Sequence, residues 1–138
     1  MNALMRCWCR MFQGAFRLAI PLLPYRRPEQ LADVAGLPSR VRARGCDSVL
    51  MVTSPSVVGL PGTRRLLGAL EAAGIACTVY DRTAPNPTTD TVEEALALYR
   101  QGGCRAIIGV GGGSSLDCAK AVGVRAALPR KPLSRTAG

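Results

Sequence analysis

Apolar and polar positions repeat along this chain with two different periods, and the switches between them mark its elements. "SVLMVTS" (residues 48–54) is a near-continuous apolar run of strand length, the pattern of a strand buried on both faces. It gives way to "TRRLLGALEAAG", in which Leu66, Leu67, Leu70 and Ala73 share one helical face and Arg64, Arg65 and Glu71 lie opposite. Gly74 stands where such a helix is capped. "IACTVYD" (residues 75–81) reads as a second strand. In "TAPNPTTD", Pro85 and Pro87 exclude both helix and ladder. A second helix is predicted from about Thr89, with Val92, Ala95, Leu96 and Tyr99 at i, i+3, i+4 and i+7. Either Asp90 with Glu93 or Thr91 with Glu94 has capping-box spacing. Gly102 and Gly103 close this helix, "RAIIGV" (residues 105–110) is the third strand, and Ser114 to about Leu128 the third helix.

The order β-α-β-α-β-α with short connections implies an α/β domain: a parallel sheet, right-handed crossovers and helices on both faces. The expected domain covers residues 46–128, after an arm over residues 1–45 that includes an amphipathic helix. The tail "PRKPLSRTAG" (residues 129–138) has no periodicity.

Charge changes this picture little once it is located. The chain carries a formal +9. Residues 1–45 hold eight Arg against Glu29 and Asp33, residues 46–124 hold six basic and seven acidic groups, and residues 125–138 hold four basic groups. The excess therefore sits at the two ends, whereas a nucleic-acid domain carries its basic stripe on the folded face. No nucleic-acid partner is expected. No apolar run approaches the roughly 18 residues of a membrane span, so no membrane role is expected either. The first 28 residues contain five Arg and no acid, a composition shared with transit peptides, but an arm packed on a larger body is the preferred reading. Six cysteines without any C-x-x-C, and no histidine at all, exclude zinc-finger spacing. They read as reduced, small apolar residues of a cytoplasmic protein.

The chemistry concentrates in "GVGGGSSLDCAK" (residues 109–120), between the third strand and third helix. Ligands of open parallel sheets bind beyond the carboxyl ends of the strands. Gly111, Gly112 and Gly113 are free to take conformations closed to other residues and let a ligand approach the backbone. A helix opening at Ser114 adds free N–H groups and a positive dipole end, and the hydroxyls of Ser114 and Ser115 add donors. Together they make a cradle for a diphosphate; a merely tight strand-to-helix turn is the simpler alternative. The dinucleotide fingerprint G-x-G-x-x-G is not met, because Ser114 replaces the last glycine, and no Lys completes a P-loop. Asp117 and Lys120 share a helical face, either as a surface ion pair or with Asp117 turned to a ligand.

"GGGSSLDCAK" resembles the G-G-G-S-x-x-D-x-A-K signature of the iron-dependent alcohol dehydrogenase family. "VLMVTS" is similar to the first strand of that family's cofactor domain, "VYDRTAPNPT" to its Pro-Asn-Pro-Thr loop, and "RCWCRMFQ" and "LLPYRRPE" to the amino-terminal arm of one branch. The resemblance implies a Rossmann-like domain that binds NAD or NADP, within an enzyme that interconverts alcohols and aldehydes or ketones by hydride transfer with a divalent metal, often iron. It implies that Gly111, Gly112, Gly113, Ser114 and Ser115 hold the pyrophosphate, that Asn86 lies by the adenosine side and that Asp117 lies near the nicotinamide half.

Ser54 stands where the family commonly ends its first strand in Asp. That carboxylate is expected to repel a 2′-phosphate, so its loss implies that NADP is tolerated or preferred. The family's metal ligands, one Asp and three His, come from an all-helical carboxyl-terminal domain. This chain has no His, so no metal ligand and no catalytic residue is assigned, and the chain is expected to be a piece truncated before that domain and inactive alone. The substrate, a small alcohol or aldehyde, would bind only with that domain, and the full-length form could be a homo-oligomer. The alternatives are a non-catalytic nucleotide-binding remnant, or a fragment related to glycerol dehydrogenase or dehydroquinate synthase.

Overall fold

The computed structural model describes residues 31–128. The arm up to residue 30 and the tail over residues 129–138 lie outside the described residues. The elements run as a 3-10 turn (Val34–Gly36), α1 (Leu37–Ala43), β1 (Ser48–Val52), α2 (Pro55–Val58), α3 (Pro61–Ala72), β2 (Ala76–Tyr80), α4 (Thr89–Gln101), β3 (Ala106–Gly109) and α5 (Gly113–Ala127).

The continuous apolar run of β1 places that strand at the centre. The sheet order is β2-β1-β3 and both pairings are parallel, with Val49 opposite Cys77 and Ala106, and Val52 opposite Tyr80 and Gly109. Successive side chains of a strand point to opposite faces, and both faces of β1 are covered. Val49 and Met51 pack with Val41, Leu66, Leu70 and Ile75, contributed by α1, α3 and the turn into β2. Leu50 and Val52 pack with Val92, Ala95, Leu96, Cys118 and Val122 of α4 and α5. All four β1 side chains are 0% exposed, and each such burial is worth roughly 1.5–3 kcal/mol against exposure. Helices on both faces and a parallel sheet are what the alternation predicted.

Residues 37–43, read from sequence as part of the arm, form a helix on this sheet: Val41 is buried in the α3 layer. Arg42 fixes it further, its Nε donating to the Ala73 carbonyl at 2.8 Å and its Nη2 to the same oxygen. The carbonyls at the end of α3 are closed by Gly74 at φ 66°, with Ile75 N–H donating to Leu70 O at 2.9 Å. That left-handed position favours glycine.

Three local expectations need correction. The N-cap of α4 is Thr88, whose Oγ1 accepts from the Thr91 N–H at 3.3 Å, so neither capping box starting at Asp90 or Thr91 forms. Helix α3 starts at Pro61, not Thr63, because proline suits the first turn, where its missing N–H costs nothing. Helix α5 starts at Gly113, one residue before Ser114. Among the described residues, no helix is long and apolar enough to cross a membrane.

Candidate anion-binding site

The three strand ends are tied side by side just beyond the sheet. Thr53 N–H donates to Tyr80 O at 2.8 Å, Thr83 N–H to Thr53 O at 3.2 Å and Val110 N–H to Val52 O at 2.9 Å. These bonds carry the ladder past the strands and hold the loops after β1, β2 and β3 on one rim. A cavity of about 600 Å³ opens there.

Each strand end contributes to it. After β3 come Gly112, Gly113, Ser114 and Ser115; after β1, Ser54 and Ser56; after β2, Arg82 and Thr83. Helix α5 has no side-chain cap at Gly112, so its first-turn N–H groups, which no helix can satisfy internally, open toward this space. Among the described residues, no carboxylate lines the cavity and Arg82 is the one charged lining residue.

The three glycines, all free to take conformations closed to other residues, divide into two kinds. Gly111 alone does, at φ 135°, and a Cβ there would meet Ser115 Oγ at 3.0 Å. Gly112 has φ −81° and Gly113 is helical, conformations open to any residue, and a Cβ on either would meet nothing within 4 Å. Gly111 is demanded by the turn. At Gly112 and Gly113 the chain itself demands nothing, so the bareness of this backbone suits a group that approaches from outside.

Buried polar atoms lie beneath the same rim. Thr53 Oγ1 and Thr83 Oγ1 are buried with no hydrogen-bond partner of good geometry, and Thr83 is 3% exposed while lining the cavity. The hydroxyl of Thr83 neighbours the Cys118 thiol; burial pushes that thiol up, and the hydroxyl opposes the shift. Of the two, only Thr83 lines the cavity; Thr53 is 0% exposed and lies outside it. Ser54 Oγ lies 3.1 Å from Ser56 Oγ.

Of the residues singled out in the sequence, Ser54, Gly112, Gly113, Ser114 and Ser115 meet in this one cavity. Gly111 lines the neighbouring apolar groove. Asn86 is exposed, at a left-handed φ of 55°, and is not among the lining residues. Asp117 is also outside it, in an exposed ion pair with Lys120 Nζ at 3.3 Å. Sequence reasoning missed Ser56, Arg82 and Thr83, although all three follow strand ends, where the fold rule points. No group of three or more His, Cys, Asp or Glu side chains converges among the described residues. These residues therefore do not fit a divalent metal.

The family model for iron-containing alcohol dehydrogenase matches residues 31–136. Over 91 residues the chain is 35% identical to the lactaldehyde reductase of Escherichia coli, covering 66% of this chain and 24% of that protein. It is 38% identical over 85 residues to a long-chain primary alcohol dehydrogenase of Thermoanaerobacter ethanolicus, covering 61% of this chain and 21% of the relative. Among solved structures, a 1,3-propanediol oxidoreductase superposes with a TM-score of 0.65 at 32% identity, covering 67% of this chain and 24% of the other. An alcohol dehydrogenase from Oenococcus oeni superposes with a TM-score of 0.70 at 26% identity, covering 76% and 28%. The chain thus spans about a quarter of the length of the relatives it matches.

Proposed function

The chain belongs to the iron-containing alcohol dehydrogenase family, and from that premise we propose that residues 31–128 hold the nicotinamide cofactor of an NAD(P)-dependent dehydrogenase acting on alcohols and aldehydes or ketones. The observation that carries this reading is the open space over Gly112 and Gly113 at the uncapped start of α5. A diphosphate seated there would accept from the first-turn N–H groups and from the hydroxyls of Ser114 and Ser115. Ser54, beyond the end of β1, would meet the adenosine ribose; as a neutral hydroxyl it admits a 2′-phosphate as readily as a free 2′-OH. Asn86 and Asp117 would touch the ligand only at its two extremities, by adenosine and nicotinamide respectively.

The bound cofactor supplies the hydride acceptor or donor. The chain's own part is to bind and orient. Backbone dipoles would neutralise the diphosphate, the fixed strand ends would set where the adenosine lies, and Thr83, which lines the cavity, would offer a polar contact beneath it. The free cysteines suit a reducing, cytoplasmic setting.

The test is thermal melting of the full chain with and without NADP or NAD. Cofactor at tenfold above its Kd stabilises by about 1.4 kcal/mol, which raises Tm by several degrees for a domain of this size, roughly 4–8 °C per kcal/mol. An unchanged Tm at millimolar concentration of both cofactors would contradict the reading.

A further inference from the structure

We infer that Arg82, with Ser54 and Ser56, forms a second phosphate subsite in the same cavity, one that takes the 2′-phosphate of an adenosine and so selects NADP. This rests on the cofactor reading above and names the group that would attract the extra phosphate, where the absence of an acid at Ser54 only ceases to repel it.

Arg82 has no ion pair among the described residues and is exposed at the mouth of the cavity. Its guanidinium lies 5.5 Å from the centre of the Tyr80 ring. Tyr80 is itself 2% exposed, so the ring is a fixed platform on which the cation is held while its N–H donors stay open. Asp81, next to it in the chain, is not among the lining residues, and among the described residues no other charge competes inside the cavity.

The spacing agrees. Neighbouring strands lie about 4.8 Å apart, and the order β2-β1-β3 puts two such steps between the Arg82 loop and the glycine turn. An adenosine whose 5′-diphosphate sits on α5 therefore lays its ribose across the end of β1, at Ser54 and Ser56. Its 2′ position then points onward to the end of β2, where Arg82 stands. The Ser54 and Ser56 hydroxyls, 3.1 Å apart, flank that path as neutral donors. An arginine near the ribose is the general solution for a 2′-phosphate in sheets of this kind.

The test compares Kd values of the full chain for adenosine 2′,5′-bisphosphate and adenosine 5′-monophosphate, by calorimetry at fixed ionic strength. The bisphosphate is expected to bind roughly tenfold more tightly, as a charge-assisted contact allows. Arg82→Ala should bring the ratio of the two constants to near one, and Arg82→Lys should restore part of it. Arg64→Ala, which removes an exposed charge outside the cavity, should leave the ratio as in the parent. A parent ratio near one, or a tenfold ratio that survives Arg82→Ala, would overturn the subsite while leaving the diphosphate cradle intact. Failure to bind either nucleotide would overturn the cofactor reading itself, and the subsite with it.

Discussion

From Val49 to Val52 every side chain of β1 is fully buried against one helical layer or the other. One residue further on, Thr53 Oγ1 is buried without a partner. Across the same rim, a Cβ on Gly112 or Gly113 would meet nothing within 4 Å. The middle of the sheet is closed by helices on both faces, while the rim carries an open cavity lined by glycine backbone and hydroxyls. On the proposed reading, stability and binding fall to neighbouring but separable parts of the chain, and substitutions should sort by region.

The largest loss of stability belongs to the strand. Leu50→Ala, at a site with 0% exposure, should cost about 2–5 kcal/mol by transfer and cavity terms, read by chemical denaturation. A cost below 1 kcal/mol would mean that β1 is not the core. Next comes Gly111, which belongs to the rim by position but to the scaffold by role. Gly111→Ala forces a side chain into φ 135° and against Ser115, and should cost about 1–3 kcal/mol. It should also weaken cofactor binding, since Ser115 must move.

Thr88→Ala removes the side-chain cap of α4 and should cost about 1 kcal/mol, with no change in cofactor Kd because Thr88 does not line the cavity. The last effect is one of pH. Burial, followed by the charge of Glu94 and the hydrogen bond to it at 3.3 Å, raises the Tyr80 hydroxyl to about 12, against about 10 in the unfolded chain. The folded value is the higher one, so the contribution of the neutral phenol is whole below about pH 10. It is lost as pH rises from there through about 12. Stability should fall across that window, and less steeply in Tyr80→Phe, as melting between pH 9 and 11.5 would reveal.

The strands and helices were legible because burial leaves a period in the sequence. The run at Val49–Val52 has no polar break, and Leu66 with Leu70, or Val92 with Ala95 and Leu96, recur at helical spacing. The strand-to-helix turn was legible because three consecutive glycines mark the passage from β3 to α5. What escaped depends on loop geometry, which has no period. The four-residue α2, Pro55–Val58, is too short to hold itself and is set by its neighbours, Thr63 Oγ1 donating to Val57 O at 2.8 Å. The strain at Gly111 and ease at Gly112 and Gly113 follow from the angle at which β3 enters α5, which identical letters cannot encode. Arg82 and Thr83 reach the cavity because ladder bonds past β1 and β2 pull their loop inward. Pro85 and Pro87 announce only that a turn exists.

The division between scaffold and binding surface is tested most directly at the two bare glycines. In the double variant Gly112→Ala, Gly113→Ala, both methyls enter space the chain does not use and both backbones are ordinary. Melting and NADP titration on the same sample should show Tm at or above the parent, since alanine narrows the unfolded ensemble by roughly 0.4–1 kcal/mol per site. Affinity should fall by at least about tenfold, the equivalent of 1.4 kcal/mol. Unchanged NADP affinity with that stability retained would mean that the diphosphate does not lie on this turn.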